Sequence, residues 1–344
     1  MRATAVAVLA CLVAAAPAGA VVGGQPVAPE TVPWFATITG CGGVLVAPDR
    51  VATAGHCIAH RSMKELEYVD VGGTLHRTAR AAIHPGWRHE NGDNLLDDVA
   101  IIQLDSPAAG IAPVTLGGAG VPQATILGRG RSTAPGSGAK ETFDLELRGA
   151  TLRLMTDASC ARAWSHHKGN GGESFDAARM VCAIDADGLA PLSSGCNGDS
   201  GGPLYVGTPA APFVLGLVSW GGSRCGADHL PSVFADAARY RSFLLDPSPT
   251  WAPLTAQPAK VTGTRAVGAK LTCRTSGFTG RPTKLEYVWQ RQGGRKVVNV
   301  SHARTYTVRK ADAGHPLVCG VTASNDGGIL SVPFATSAIA KIPR

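Results

Sequence analysis

Three short segments of the chain carry residue types that could together hydrolyse an amide bond. They are TAGHC at residues 53–57, DDVAIIQL at 97–104 and GCNGDSGGP at 195–203. Hydrolysis by a hydroxyl needs a base for the serine proton, a buried acceptor that fixes the tautomer of that base, and donors for the oxyanion. His56, Asp98 and Ser200 can supply the base, the acceptor and the nucleophile. The sequence therefore predicts acyl transfer from substrate to Ser200.

The oxyanion donors are expected on the backbone around the serine. Gly198 and Ser200 can each supply an N–H group, and glycine at 198 lets the backbone adopt the unusual dihedrals that aim both inward. The segment GDSGG also satisfies the G-x-S-x-G elbow of α/β-hydrolases. Those enzymes order their triad Ser, Asp, His, whereas here His56 and Asp98 precede Ser200, and no βαβ alternation follows the serine. An esterase of that fold is therefore disfavoured.

Taken together, the three motifs resemble the chymotrypsin and trypsin family of serine endopeptidases. The resemblance runs from residue 21 to about residue 246 and includes the motif order and the positions of the cysteines. It implies two six-stranded antiparallel β-barrels, with His56, Asp98 and Ser200 as the catalytic triad and Gly198 and Ser200 as the oxyanion hole. Asp98 is preferred because the family's aspartate directly precedes a strand such as VAIIQL, and Asp97 is expected to be a solvated neighbour.

The resemblance also assigns a role to the beginning of the mature chain. The segment VVGG begins at Val21, and its new α-amino group would form a buried ion pair with Asp199. A buried carboxylate without a partner is costly, so this pairing can hold the oxyanion loop in its active shape. Because the predicted signal peptidase site lies directly before Val21, we expect an enzyme that is active once exported, without a separate propeptide.

The resemblance assigns five residues to the substrate side of the site: Ser194, Ser219, Trp220, Gly221 and Ser232. Ser194 would be the floor of the primary specificity pocket, with Gly221 and Ser232 on its walls. Ser219 would hydrogen bond to Asp98, while Trp220, Gly221 and Gly222 would form the wall along which substrate pairs as an added strand. Without a carboxylate at the floor, an apolar or aromatic preference is expected rather than Arg or Lys. Ser232 would narrow this pocket, and Arg224 and Asp228 lie on a nearby loop.

The elements that must position these groups are predicted to be mostly strands. The chain has 344 residues, 43 Gly and 23 Pro, and short β-branched runs alternate with Gly, Pro and Asp up to residue 246. Only ADAARYRSFLLD spaces its apolar residues as a helix does, and Pro247 ends it. The length favours one large and one small domain. We therefore predict an all-β protein with a protease domain at 21–246 and a Pro-rich linker at 247–258.

A second strand-rich block follows the linker at residues 259–344. Cys273, Trp289 and Cys319 have the order and spacing of an immunoglobulin-like sandwich, in which the tryptophan packs on an inter-sheet disulfide. The block also resembles bacterial Ig-like repeats, although Leu317 stands where such domains have the tyrosine of their corner. It contains no catalytic cluster, so a binding or spacer role, with a cell-surface or polymer ligand, is inferred from the fold alone.

The first twenty residues have the pattern of a secretory signal peptide, with one Arg, an apolar run and an A-x-A ending at Ala20. A lipid anchor at Cys11 would leave a very short hydrophobic region and is disfavoured. Removal of residues 1–20 leaves eight cysteines, which indicates four disulfides in an oxidising compartment, although counting alone permits 105 connectivities. The resemblance selects the following pairs: Cys41 with Cys57, Cys160 with Cys182, Cys196 with Cys225, and, in the second domain, Cys273 with Cys319.

Composition limits the other partners. The formal net charge is +7, but Lys and Arg appear scattered, which indicates a solvated basic surface and gives no ground for a nucleic-acid partner. The sequence after residue 20 contains no stretch of about twenty apolar residues, so no membrane span is predicted. The segment between Tyr68 and Arg80 lacks the paired glutamates of the family's calcium site, so neither a metal nor a cofactor is expected. The sequence thus predicts a secreted monomer that acts on proteins or peptides; the alternative is a catalytically silent adhesin on a protease fold.

Overall fold

The structure is a computed structural model of the chain. It describes residues 21–59, 61, 65–87, 95–118, 121–131, 146–168, 173–253, 259–275, 278, 281–293, 296–332 and 342–343. The predicted signal peptide at 1–20 and the linker residues 254–258 lie outside the described residues.

The first part of the protease region is a closed six-stranded antiparallel barrel. Its strands are β2 Phe35–Ile38, β3 Cys41–Ala47, β4 Arg50–Thr53, β5 Tyr68–Val71, β6 Thr74–Ile83 and β7 Ala100–Leu104. Gly72 and Gly73 connect β5 to β6 with φ angles of 61° and 81°, a two-residue turn that matches the twist of the paired strands. Alternating apolar side chains fill the interior, so the barrel ends carry the loops that reach the site.

The second barrel is also closed and six-stranded. It consists of β9 Gln123–Gly128, β10 Arg148–Leu154, β11 Met180–Asp185, β12 Pro203–Thr208, β13 Ala211–Trp220 and β14 Ser232–Asp236. Two short strands extend this sheet, β1 Gln25–Pro26 on β10 and β8 Thr115–Leu116 on β13. Because β1 pairs with β10, the segment that begins at Val21 is fixed to the second barrel rather than to the first. The prediction of two six-stranded barrels is confirmed.

Helices are few and short. The helix α1, Asp157–Trp164, begins after Thr156, whose hydroxyl accepts the Ser159 N–H at 3.3 Å. The helix α2, Arg241–Leu244, covers only part of the segment for which helical spacing predicted a helix. Three 3₁₀ turns occupy Pro29–Thr31, Gly55–Cys57 and Lys310–Asp312. Within the part of the chain that the structure describes, no helix has the length and apolar character needed to cross a bilayer.

The C-terminal block contains two small sheets. One is formed by β15 Lys260–Thr262, β16 Lys270–Arg274 and β19 Thr305–Thr307, and the other by β17 Lys284–Gly293, β18 Lys296–Ser301, β20 Leu317–Asn325 and β21 Gly328–Val332. The disulfide Cys273–Cys319 joins β16 of the first sheet to β20 of the second. Trp289 is fully buried between the sheets, 5.8 Å from the ring of Tyr306. The two sheets therefore share one small core.

This C-terminal block contacts the first barrel along β6. The carbonyl of Gly327, in the turn between β20 and β21, accepts the N–H of Ile83 at 2.7 Å. Ala252, in the segment predicted to be a linker, donates its N–H to the Ala81 carbonyl at 2.9 Å. The C-terminal sheets and this segment thus contact the part of β6 that pairs with β7, the strand that follows Asp98.

Candidate active site

His56 lies in the 3₁₀ turn Gly55–Cys57 that follows β4. Its Nδ1 is 2.8 Å from Oδ2 of Asp98, and its backbone N–H donates to Oδ1 of the same carboxylate at 2.9 Å. Since an ionised carboxylate only accepts hydrogen bonds, Nδ1 carries the proton and Nε2 is left as an acceptor. The imidazole therefore presents a basic nitrogen away from Asp98.

Asp98 is the buried partner of this pair, with 1% of its side chain exposed against 27% for His56. The Ser219 hydroxyl donates to Oδ2 of Asp98 at 2.5 Å. Burial opposes ionisation of Asp98, but the His56 charge and three hydrogen bonds outweigh it and lower the pKa of Asp98. Burial likewise disfavours protonated His56, but the charge and hydrogen bond of Asp98 prevail and raise the pKa of His56. The contact therefore stabilises the charged form of each group, the protonated imidazolium of His56 and the ionised carboxylate of Asp98.

Ser200 lies between the two barrels and lines the same cavity of about 270 Å³ as His56. Its carbonyl accepts the N–H of Gly42 in β3 at 2.7 Å. The next residue, Gly201, donates its N–H to the carbonyl of Val218 in β13, also at 2.7 Å. Gly201 has a φ of 75°, and a Cβ there would collide with the Thr53 hydroxyl. The loop therefore needs glycine beside the serine in order to lie against both barrels.

The backbone N–H groups of Gly198 and Ser200 have no acceptor among the described residues. Gly198 has a φ of 99°, which a side chain would disfavour. Buried or half-buried N–H groups without partners are uncommon, because each loses a hydrogen bond to water. These two donors are available to an oxygen atom bound beside Ser200.

Asp199 is completely buried between these two donors. Its carboxylate accepts the N–H groups of Gly130 and Cys196, each at 2.8 Å. Burial raises the pKa of Asp199 to about 7, because these hydrogen bonds only partly offset desolvation. A Cβ at Gly128 would collide with this carboxylate, so the cavity around it is tightly bounded.

Val21 is also completely buried, in the apolar core of the second barrel. Val22 accepts the Ser194 N–H at 3.1 Å, and the Val21 carbonyl accepts the N–H of Gly24 at 2.8 Å. In the chain as described, the Val21 nitrogen is a peptide nitrogen with no ion pair to Asp199 among the described residues. Val21 adopts a φ of 56°, which is strained for a β-branched residue that has a preceding peptide.

Trp220, Gly221 and Ser232 line the cavity, as does Ser219, but Ser194 does not. The hydroxyl of Ser194 lies behind Ser232, with their oxygens 3.1 Å apart, and donates to the carbonyl of Gly195 at 2.9 Å. Ser232 also accepts the N–H of Gly195 at 3.1 Å. The roles of Ser194 as pocket floor and of Ser232 as pocket wall therefore stay predictions; the two hydroxyls contact each other, and only Ser232 lines the cavity.

Asp228 and Arg224, the charged residues near the pocket, do not line the cavity. The Asp228 carboxylate accepts the backbone N–H groups of Arg224 at 3.1 Å and Leu230 at 3.4 Å. Asp228 therefore stabilises its own loop.

Asp97 differs from its expected role as a solvated neighbour. Only 13% of its side chain is exposed, and Oδ1 lies 3.2 Å from Nε of Arg179 and accepts the Tyr240 hydroxyl at 2.8 Å. Asp97 has a φ of 51°, so this contact fixes the backbone directly before Asp98. The solvated assignment is wrong because Arg179 and Tyr240 come from distant segments.

Glu173 is a cavity residue that the motifs did not indicate. It is 5% exposed, lines the cavity with Leu95 and Trp220, and its charge adds to the raised pKa of His56. It follows a Gly- and Asn-rich loop between Cys160 and Cys182, where neither periodicity nor a motif marks a functional position.

The eight cysteines of the region after residue 20 form four disulfides: Cys41–Cys57, Cys160–Cys182, Cys196–Cys225 and Cys273–Cys319. The first joins β3 to the His56 turn, and the third joins the Ser200 loop to the segment after Trp220. Cys41, His56 and Cys57 place possible ligand atoms within 4.8 Å of one another. Both sulfur atoms belong to the disulfide, so this cluster offers no thiolate to a metal.

Comparisons with known proteins agree with this architecture. Residues 21–244 match the protein family described as Trypsin. Trypsin alpha of Drosophila erecta is 28% identical over 244 residues, covering 66% of this chain and 87% of the relative. Trypsin of Saccharopolyspora erythraea is 28% identical over 225 residues, covering 60% of this chain and 86% of the relative.

Among solved structures, neuropsin, a serine protease expressed in the limbic system of mouse brain, has a TM-score of 0.54 with 26% identity. The match covers 65% of this chain and 98% of neuropsin. The family match spans both barrels, the loops that bring His56 and Ser200 to one cavity, and Asp98, which is hydrogen bonded to His56. This chain belongs to the trypsin family of serine endopeptidases.

Proposed function

We propose that the chain is a secreted serine endopeptidase whose nucleophile is Ser200, with His56 as the proton carrier and Asp98 as the residue that orients it. The observation that carries the proposal is the 2.8 Å contact between His56 and buried Asp98, at a cavity that Ser200 also lines. With Nδ1 bonded to Asp98, Nε2 of His56 is the nitrogen available to the Ser200 hydroxyl.

In the acylation step, Ser200 Oγ forms a bond to the scissile carbonyl carbon while its proton moves to His56 Nε2. The negative charge that develops on the carbonyl oxygen is stabilised by the N–H groups of Gly198 and Ser200. Collapse of this intermediate breaks the C–N bond, and His56 gives the proton to the leaving amine. Water then repeats the sequence, so the acid product leaves and Ser200 regains its proton.

The preference of the primary pocket is the second part of the proposal. Gly195, Val218 and Ser232 support an uncharged primary pocket that favours apolar or aromatic side chains. The same cavity also holds one carboxylate, Glu173, whose charge acts on His56. Ser232, held by Ser194 and Gly195, limits its depth. Profiling cleavage of a peptide library by mass spectrometry tests this, and dominant cleavage after Arg or Lys would contradict it.

Activation is proposed to follow removal of residues 1–20. A free Val21 amino group would supply the cation that buried Asp199 lacks, and cleavage would relieve the strained Val21 φ angle, because an N-terminal residue has no preceding peptide. Export is supported by the four disulfides, which are typical of oxidising compartments. N-terminal sequencing of the secreted protein tests the site; a longer inactive secreted form would contradict it.

The C-terminal block is proposed to be an Ig-like sandwich. Its inter-sheet disulfide and the buried Trp289, which pairs with Cys319 across neighbouring strands, support this assignment. An experimental structure of this block that lacks the Ig strand order would contradict the assignment.

Labelling with an organophosphate distinguishes the peptidase from the alternative, a silent adhesin. The processed chain should be labelled stoichiometrically at Ser200, and the label should be lost in Ser200→Ala. An unlabelled but folded chain would favour the adhesin. Ser223→Ala, an exposed serine on a nearby loop, is the matched control and should retain the label.

A further inference from the structure

The charges of this chain are divided unevenly between its two parts. Residues 259–344 contain fourteen Lys and Arg but only three Asp and Glu, whereas residues 1–258 contain eighteen Lys and Arg and twenty-two Asp and Glu. Apart from the adjacent pairs Arg295–Lys296 and Arg309–Lys310, the basic residues are dispersed along the second part, so they form no long basic run in the sequence. The net charge of +7 therefore combines a strongly basic sandwich with an acidic remainder, which points to an anionic partner for the sandwich.

The three-stranded sheet collects part of this charge on its outer face. Along β16, Leu271 and Cys273 point into the core, and Lys270 and Arg274 alternate with them and are exposed. On β15, Lys260 is exposed and pairs directly with Arg274 in the strand register. We call the outer surface of β15, β16 and β19 the basic face; its exposed members are Lys260, Thr262, Lys270, Arg274, Thr305 and Thr307.

The basic face has no acidic counterpart within the sandwich. Two of the three acids, Glu286 and Asp312, are in ion pairs with Lys284 at 2.8 Å and with Arg291 at 3.1 Å. The third, Asp326, lies in the turn between β20 and β21, which contacts the first barrel. Among the described residues, no acidic group lies within ion-pair distance of the face's two lysines or of Arg274.

Keeping like charges opposite one another has a cost. Side chains directly paired across two antiparallel strands have Cβ atoms about 5 Å apart, and like charges at such positions destabilise the sheet. Lys260 and Arg274 are such a pair, and Nε of Arg274 donates to the Thr262 hydroxyl at 3.3 Å, which lays the guanidinium along the sheet. An anion bound over the face would remove this repulsion.

Among the described residues, the protease region does not cover the basic face. The sandwich contacts the protease region through Gly327, in a turn of the four-stranded sheet, and through the linker. The basic face belongs to the other sheet, and its lysines, Arg274 and most of its threonines are exposed. A long polymer could therefore lie across it without obstructing the cavity that Ser200 lines.

We propose that the basic face binds a linear anionic polysaccharide and thereby holds the peptidase on a polyanionic matrix. Lys260, Lys270 and Arg274 would pair with its carboxylate or sulfate groups, and the threonine hydroxyls would bond to the sugar hydroxyls. Along β16, Lys270 and Arg274 are separated by four residues, or about 13 Å of strand, so the face meets repeated charges rather than one compact anion.

A polysaccharide fits this face better than a nucleic acid does. Sheet surfaces that bind single-stranded nucleic acid stack the bases on exposed aromatic rings. The described rings of the sandwich are Trp289 and Tyr306, which are buried, and Phe278 and Tyr287, which pack against the same core. The basic face therefore offers charge and hydroxyl groups but, within the described residues, no stacking surface.

The test measures binding of the full chain to heparin, polygalacturonate, uncharged dextran and a short DNA duplex at matched ionic strength. The wild type should bind both anionic polysaccharides, with affinity that falls as salt rises, and should not bind dextran. The triple variant Lys260→Gln, Lys270→Gln, Arg274→Gln should bind about tenfold more weakly and depend less on salt.

The matched control removes the same charge elsewhere on the sandwich, with Arg281→Gln, Lys284→Gln and Lys296→Gln, which are exposed residues outside the basic face. It should change the affinity less than threefold. Equal weakening in both triples would show that net charge alone acts and would overturn the proposal, as would tighter binding to DNA than to either polysaccharide or no polysaccharide binding at all. Thermal unfolding verifies that each variant is folded, and since binding needs no catalysis, a silent active site leaves the test unaffected.

Discussion

The hydroxyl of Ser219 lies 2.5 Å from Oδ2 of Asp98, the same oxygen that lies 2.8 Å from Nδ1 of His56. Ser219 belongs to β13 of the second barrel, whereas Asp98 precedes β7 of the first. The orientation of His56 therefore depends on a hydrogen bond that crosses between the barrels.

Ser219→Ala should lower kcat/KM by about tenfold, because a hydrogen bond to a buried carboxylate is lost and His56 is less firmly oriented. Steady-state kinetics on a short peptide substrate measures this. Ser223→Ala, on the exposed loop after β13, should leave kcat/KM unchanged. A Ser219→Ala enzyme with wild-type kinetics would show that Asp98 needs no support from the second barrel.

The raised pKa of His56 predicts the acid limb of the pH profile. His56 must be neutral to accept the Ser200 proton, so kcat/KM should fall by about tenfold per pH unit below a pKa that lies above 6.5. In Asp98→Asn the charge that raises this pKa is gone, so the limb should move to lower pH and kcat should fall by about 10⁴. Asp105→Asn, an exposed acid, is the control. A wild-type limb at or below 6.5 would contradict the prediction.

The raised pKa of Asp199 predicts that the free energy of unfolding depends on pH, and that this dependence shows whether residues 1–20 have been removed. In a chain that retains Ala20, the pKa of Asp199 is about 7 when folded against 3.8 for the free group. The folded form then holds a proton that the unfolded form has lost, so stability is full below pH 4 and falls as pH rises to about 7. Chemical denaturation should show this decline.

Two comparisons isolate the Asp199 effect. Asp199→Asn in the chain that retains Ala20 should remove the decline, since no carboxyl remains to titrate. A chain that begins at Val21 should also lose it, because its amino group stabilises the ionised Asp199, and it should be more active by a factor of at least about 100. The same decline in all three chains would rule out Asp199 as its source.

Ser232→Gly should widen the primary pocket. Its hydroxyl, bonded to Ser194 and Gly195, would be removed, and the space gained admits larger rings. The ratio of kcat/KM for Phe over Ala at the cleavage position should rise about tenfold, as expected for a few methylene-sized groups. Ser194→Ala, which does not line the cavity, should have a smaller effect. Equal ratios in Ser232→Gly and wild type would show that another residue limits the pocket.

Gly327→Ala should loosen the sandwich from the first barrel, because a Cβ at this position would collide with the Thr250 carbonyl. Limited proteolysis should cut the linker at 247–258 faster, and calorimetry should separate the two unfolding transitions. Hydrolysis of short peptides should not change. Gly293→Ala is the control, since its nearest neighbour, His315, lies at 3.5 Å. A linker that is no more accessible in Gly327→Ala would show that the contact contributes little.

The sequence predicted those parts of the molecule that depend on short contiguous segments. His56, Asp98 and Ser200 each lie in a short motif whose neighbours suit the local backbone, as Gly198 and Gly201 do beside the serine by permitting positive φ angles. The predictions of two barrels and of the endopeptidase family are both confirmed. The strands could be predicted because turn residues and β-branched runs encode them locally.

The remaining features depend on contacts between segments that are far apart in the sequence. Asp97 is largely shielded from solvent because Arg179 and Tyr240 reach it, and the hydroxyl of Ser194 contacts that of Ser232 across 38 residues of sequence. Glu173 enters the cavity from a loop without periodicity. Residue type and spacing carry no information about such pairings.

The hydrogen bond from Gly42 to the carbonyl of Ser200 joins two segments of the chain that the ribosome synthesises at different times. Synthesis delivers His56 and Asp98 first, and about one hundred residues later it delivers the Ser200 loop, which β3 and β13 hold from opposite sides. A chain in which only the first barrel has folded contains a base without a nucleophile. Peptide-bond cleavage therefore requires both barrels to be folded, because the base comes from the first and the nucleophile is held between them.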